Sequence, residues 1–133
     1  MQVAAGQHHS LFLDLYCDCV YACGRADSSQ LGLSDTQPKS GDYEASLKAV
    51  PFDDATMRIV SIAAGDTHSL AVTGDGKVYT WGFGDEGALG HGVANDEHRP
   101  KAIAKYSGKA DAFVLEASGG SQHSCLLVSS TPK

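Results

Sequence analysis

The sequence predicts an all-β protein made of repeated short-strand units, and three observations carry the prediction. First, a phrase ending in His-Ser occurs three times: Ala4-Ala5-Gly6-Gln7-His8-His9-Ser10, Ala63-Ala64-Gly65-Asp66-Thr67-His68-Ser69 and Ser118-Gly119-Gly120-Ser121-Gln122-His123-Ser124. Second, each copy runs into an apolar stretch, and the first two continue in parallel. Val20-Tyr21-Ala22-Cys23-Gly24 matches Val78-Tyr79-Thr80-Trp81-Gly82, and Gln30-Leu31-Gly32 matches Ala88-Leu89-Gly90. Third, the copies recur every roughly 55 to 60 residues, a spacing that with short strands belongs to propellers and stacked β arrays.

The elements follow in order. Residues 3–33 form a first core, where Leu11, Leu13 and Leu15 alternate with Phe12, Asp14 and Tyr16 and so predict a strand with one apolar face. Its turn, Asp14 to Cys19, is one residue longer than Thr73-Gly74-Asp75-Gly76-Lys77 and lacks those glycines, which predicts a looser turn. Gln37 to Asp42 reads as an exposed loop. Ala49-Val50-Pro51-Phe52 reads as a short edge strand, since Pro51 cannot donate to a central ladder. Residues 58–90 form the second core, with a tight turn at Gly74-Asp75-Gly76 and an alternating return strand from Lys77 to Trp81. A second loop, Gly92 to Pro100, precedes an outer strand expected from Lys101 to Tyr106. Phe113–Ala117 and Cys125–Val128 are closing strands, and Thr131-Pro132-Lys133 is a tail. The expected units are residues 1–58, 59–112 and 113–130, with 131–133 as tail. No helix longer than a turn is expected.

Composition narrows the function classes. A net charge of -6 makes the chain a poor binder of nucleic acid by itself, because that affinity rests on neutralising phosphates. Four cysteines without a small disulfide framework suit a reducing compartment. No apolar run approaches the ~20 residues of a membrane-spanning helix. Met1 is followed by neither a basic region nor an apolar one, so no secretory signal is expected. Two complete units and one closing pair cannot close a ring. The chain therefore reads as the last part of a longer protein, or as the product of a truncated gene, that folds poorly alone; the alternative is a small domain that dimerises to cover its faces.

The pattern AAGxxHSL…GDGKVYTWGxGxxGxLG resembles the repeat of the regulator of chromosome condensation family, along nearly the whole chain. The resemblance implies a seven-bladed β-propeller, of which this chain forms about two blades plus the closing strand of the last. The doublet in Gly6-Gln7-His8-His9, the phrase Cys23-Gly24-Arg25-Ala26-Asp27 and the ending Gln122-His123-Ser124…Leu126-Leu127-Val128 are similar to the C-terminal repeats of family members that exchange guanine nucleotide on the small GTPase Ran. That similarity implies an exchange factor without covalent chemistry, cofactor or small-molecule substrate. Such a factor binds the nucleotide-free GTPase more tightly and so, by linkage, weakens nucleotide affinity. The wedge that disturbs the nucleotide site comes from an earlier blade, so this segment supplies part of the docking face and ring closure. The resemblance also implies a nuclear location (cytoplasmic being the alternative) and chromatin contact through basic residues elsewhere in the protein. The competing function is an adaptor propeller of the same superfamily, since fold alone does not give function.

His9, His68 and His123 occupy equivalent repeat positions, each followed by Ser. Imidazole and hydroxyl there satisfy backbone groups at a strand start, a structural role for His9 and His68 together with Gly6, Gly65 and Gly120. Trp81 is expected in the core between blades. The resemblance implies that the histidines of the Gln-His steps, His8 and His123, contribute to the GTPase face, with Ser121 as an added residue in the last phrase. Cys17-Asp18-Cys19 with Cys23 lacks the usual zinc spacing, and alternation turns Cys23 toward the core, so no metal site is expected. Cys125 stands where the second repeat has Leu70, which predicts a core position. The Ser-after-His pairs have no oriented acid, so a hydrolase triad is unsupported. Gly82-x-Gly84-x-x-Gly87 leads into no helix that could present its N-terminus to phosphate, and reads as turn glycines. Asp53-Asp54 and Asp96-Glu97 read as solvated loop charges.

Overall fold

A computed structural model describes residues 1–106 and 112–130; the expected tail, 131–133, lies outside the described residues. Three antiparallel sheets stack in chain order. The first is β1 (Gln2–Ala5), β2 (His9–Asp14), β3 (Cys19–Arg25) and β4 (Tyr43–Ala49). The second repeats it as β5 (Ile59–Ala64), β6 (His68–Thr73), β7 (Val78–Gly82) and β8 (Glu97–Ala102). The third is the pair β9 (Phe113–Gly119) and β10 (Ser124–Ser129). β5 packs against both β1 and β9, so the first strand of each sheet lines one common edge. Neighbouring blades of a β-propeller have this arrangement, and the chain is all-β and forms part of one.

Alternation along the strands sets the stacking. Leu11 and Leu13 of β2, with Val20 and Ala22 of β3, face the second sheet and share one core with Ile59, Ile62, Ala71, Tyr79 and Trp81. Leu70, Val72 and Val78 leave the other face of that sheet toward Val114 and Ala117. The middle sheet is covered on both faces, so every residue of β6 and β7 is buried. The flanking sheets keep an alternating pattern.

Several residues depart from expectation, each for a physical reason. The alternation of β2 stops at Asp14, and Leu15 is left 49% exposed in the turn. Cys125 holds the register of Leu70 but is exposed, because its side of β10 points away from the second sheet. Cys23, equivalent to Trp81, is only half-buried on the corresponding outer side of the first sheet. The outer strands also begin earlier than their apolar residues suggest: β4 ends at Ala49, and β8 starts at Glu97. Val50 and Ile103, both buried, close these strands by donating their N–H groups to Val20 O (2.8 Å) and Val78 O (3.0 Å). Ala104–Tyr106 is a single 3-10 turn. Pro100 is accommodated inside β8 because this outer strand carries a register shift between its pairs with Thr80 and Gly82.

Candidate functional site

The β1–β2, β5–β6 and β9–β10 turns lie together at one end of the stack and share one geometry. Gly6 N–H donates to His9 O (2.9 Å), Gly65 N–H to His68 O (2.9 Å) and Gly120 N–H to His123 O (2.8 Å). Adjacent turns are joined as well, by Gln7 N–H to Asp66 O and Asp66 N–H to Gly120 O, both 3.1 Å. The glycines are required by space. A Cβ on Gly6, Gly65 or Gly120 would run into the imidazole of its own turn. On Gly6 or Gly65 it would also meet the next turn's carbonyl, Gly65 O at 2.5 Å or Gly120 O at 2.6 Å.

The ladder histidines lock one sheet to the next. Ser69 Oγ–H donates to Gln30 O (2.8 Å) and so accepts from His9 Nε2–H (2.9 Å). Ser124 Oγ–H donates to Ala88 O (2.8 Å) and accepts from His68 Nε2–H (2.9 Å). Each relay thus ties a histidine and a Leu-Gly loop of one sheet to a serine of the following sheet. Burial pushes His9 down to about 4, with the nearby His68 ring adding to the effect and the His68 backbone opposing it. Burial also lowers His68, against the opposing charge of Asp66. Neutral rings suit this geometry, since His9 Nδ1 is buried with no hydrogen-bond partner among the described residues. His9 and His68 each bond a serine of the following sheet, with Gly6 and Gly65 packed against their rings.

The two residues between glycine and histidine differ from copy to copy and face outward. They are Gln7 and His8, Asp66 and Thr67, and Ser121 and Gln122. With Ser28 and Phe83 all but His8 border a shallow depression of about 220 Å³. In this register His8 corresponds to Thr67 and Gln122, whereas His123 corresponds to His9 and His68. The two histidines expected on a partner surface share one end of the stack but sit at different positions of their turns. His8 is exposed, and its carbonyl accepts Arg25 N–H at 2.8 Å. His123 is also exposed, with its ring lying over Gly120 in the ladder position. Sequence reasoning missed Gln7, Asp66, Thr67, Ser121 and Gln122 as face residues. The signal was available, because positions that vary inside an otherwise repeated turn are free of the framework's demands. The row is polar with a single carboxylate, and suits hydrogen bonding to a macromolecular surface.

Trp81 is fully buried between the first two sheets, edge-on to Phe52 with centroids 5.7 Å apart. Gly32, at φ +70, lies against its indole. Gly84 N–H is taken by Asp96 Oδ1 at 2.8 Å, so the glycine-rich loop is closed by a carboxylate of the chain, and Asp96 is a loop clamp where a solvated charge was expected. Glu97 pairs with Lys101 at 3.0 Å, while Asp54 accepts from both N–H and Oγ1 of Thr56. Cys19 and Cys23 lie on one strand four positions apart, and Cys17 sits in the preceding turn. Among the described residues no group of three His, Cys, Asp or Glu side chains is placed to hold a metal ion.

Comparison with known proteins places this geometry. The Regulator of chromosome condensation (RCC1) repeat matches residues 18–72 and 75–127. Each matched unit runs from the third strand of one sheet to the second strand of the next, so a single repeat straddles two blades. The chain is 38% identical over 128 residues to the Regulator of chromosome condensation of Drosophila melanogaster, covering 95% of this chain and 22% of that one. It is 34% identical to the guanine nucleotide exchange factor SRM1 of Saccharomyces cerevisiae, covering 92% of this chain and 26% of that one. It is also 37% identical to the human E3 ubiquitin-protein ligase HERC2, covering 86% of this chain and 2% of that one. The crystal structure of Prp20p from Saccharomyces cerevisiae, reported with its binding to Gsp1p and histones, superposes with a TM-score of 0.76 at 30% identity, over 100% of this chain and 31% of that one. Yeast RCC1 (Prp20) bound to Kap60 gives a TM-score of 0.83 at 28% identity, over 100% of this chain and 30% of that one. The chain spans less than a third of the length of any of these proteins. With its repeated turns, inter-sheet relays and stacked four-stranded sheets, it belongs to the RCC1 repeat family.

Proposed function

We propose that this chain is part of the β-propeller of a guanine-nucleotide exchange factor acting on Ran. Its share of the work is docking and ring closure. The observation that carries the reading is the row of outward turn residues, Gln7, His8, Asp66, Thr67, Ser121 and Gln122, held on a rigid framework at one end of the blades. The resemblance adds that histidines of these turns serve the GTPase face, which puts His8 at one end of the row and the Ser121-Gln122-His123 turn at the other. Two relatives of this chain carry exchange or chromosome-condensation names, and Prp20p is reported with Gsp1p and histones.

The mechanism needs no covalent step. The rigid turns present donors and acceptors to the GTPase surface, and affinity is highest when nucleotide has left. The element that disturbs the nucleotide site lies in another blade, so this segment alone releases no nucleotide. By the same resemblance the full protein is nuclear and touches chromatin through regions other than this acidic one.

A second reading is a non-exchanging propeller module, and the similarity to HERC2 and to the probable ligase HERC3 supports it. Release of labelled GDP from Ran by the full-length protein decides between them. Accelerated release, reduced at least tenfold by His8→Ala with the fold intact, supports exchange and places His8 on the docking face. No release from a well-folded full-length protein sinks the exchange reading in favour of the adaptor.

A further inference from the structure

The two relays follow one pattern. A ladder histidine donates through Nε2, a serine at the start of the following sheet's second strand passes the bond on, and a loop carbonyl of the first sheet accepts it. Each end of the stack carries half of this pattern. His123 has the same turn bond and the same glycine against its ring as His9 and His68, yet no serine among the described residues receives its Nε2. Ser10 holds the position of Ser69 and Ser124, and no described histidine reaches it. The faces beside them continue the same register. Cys125 and Leu127 repeat the places of Leu70 and Val72, which are 0% and 1% exposed under the third sheet, whereas Leu127 is 57% exposed.

We propose that His123 is a blade-locking donor whose Nε2–H bonds a serine or threonine hydroxyl opening the second strand of a further blade. That blade comes from a segment of the same protein outside this chain. Ser10 is the matching acceptor for a ladder histidine of the blade that precedes it. A further blade is the occupant because the interface already occurs twice here with the same three partners, and because the chain spans only 22% and 26% of two relatives. The inference rests on the propeller reading and divides the proposed docking face. Ser121, Gln122 and His8 meet the partner, while the His123 ring is turned along the stack.

The test uses the full-length protein, without GTPase. His123→Gln is expected to lower Tm as much as His68→Gln, and His8→Ala to leave it unchanged. In the wild-type protein the imidazole Nε2 proton of His123 is expected to exchange slowly with water, a readout that survives if the variants fail to fold. A His123→Gln variant melting like wild type, or a fast-exchanging Nε2 proton, overturns the proposal. So does protection of His123 only in self-assembled copies of the 133-residue chain, which would make a second copy the occupant. These readouts need no partner, so they stand or fall separately from GDP release.

Discussion

Gly65 is hemmed in by the His68 ring on one side and by Gly120 O at 2.6 Å on the other. An added methyl group there has to displace backbone. Gly74, in the β6–β7 turn, offers the opposite case: its nearest prospective neighbour is a Val60 methyl at 3.4 Å, and its φ is not left-handed. Gly65→Ala is therefore expected to cost about 2–4 kcal/mol in urea unfolding of the full-length protein, against less than about 1 kcal/mol for Gly74→Ala. Equal losses would show that the turn relaxes freely. Ser69 is the companion case. Ser69→Ala removes the hydroxyl joining His9 to Gln30 O and strands two buried polar groups, at a cost of about 2–3 kcal/mol. A loss below about 0.5 kcal/mol would mean that water replaces the hydroxyl at no penalty.

At the scale of elements, the long β3–β4 loop is held by the second sheet. Ser29 stands where the next repeat has Gly87, and both adopt positive φ, 60 and 72. A serine in this conformation is strained by about 1 kcal/mol. Its hydroxyl meets His98 Nδ1 of β8 at 2.6 Å, and the neighbouring Arg99 pairs with Asp35 at 2.5 Å. The hydrogen bond offsets the strain, so Ser29→Gly is expected to be nearly neutral. His98→Ala should cost about 1 kcal/mol more in the wild-type background than in the Ser29→Gly variant. Additive single and double variants would rule the clasp out. This contact was invisible in the sequence, because the two residues lie far apart and His98 stands outside the repeated phrase. The inner strands were legible for the converse reason: Leu11, Leu13, Leu70 and Val72 are buried by the neighbouring sheet and carry the period of two. The outer strands β4 and β8 form by pairing alone, with β4 almost wholly exposed, so hydrophobic alternation carried no trace of their limits. Cys125 was read as core from repeat register, and Cys23 from strand alternation. Register specifies which face a residue takes, but the burial of that face depends on whether another sheet lies on it. The spacing of the His-Ser phrases marked the repeated turns, whereas the outward row, whose signal lay in the residues that break the repetition, was missed.

For the whole molecule, the ladder makes stability depend on pH in a definite direction. His9 takes up its proton near 6.5 when unfolded and only at about 4 in the folded chain. His68 is shifted the same way by burial. Between those limits the unfolded chain binds protons that the folded one refuses. The contribution of neutral His9 is therefore complete above pH 6.5, falls as the pH drops, and is exhausted near pH 4. For His9 alone the loss amounts to roughly 3 kcal/mol. Carboxylates act at lower pH. Asp27 is held below its usual 3.8 first by its hydrogen bond from Arg25, and Asp75 first by Thr73, so their contributions persist across the histidine window and are lost beneath it. Urea midpoints of the full-length protein measured from about pH 7.5 to 4 should thus decline steadily below 6.5. His9→Gln, which removes the titrating group, should start less stable and show a shallower decline. A flat profile between about pH 6.5 and 4.5, or a slope unchanged by His9→Gln, would mean that the ladder stays hydrogen-bonded with its rings charged, and the locking role would pass to the packing of Trp81 and the leucines around it.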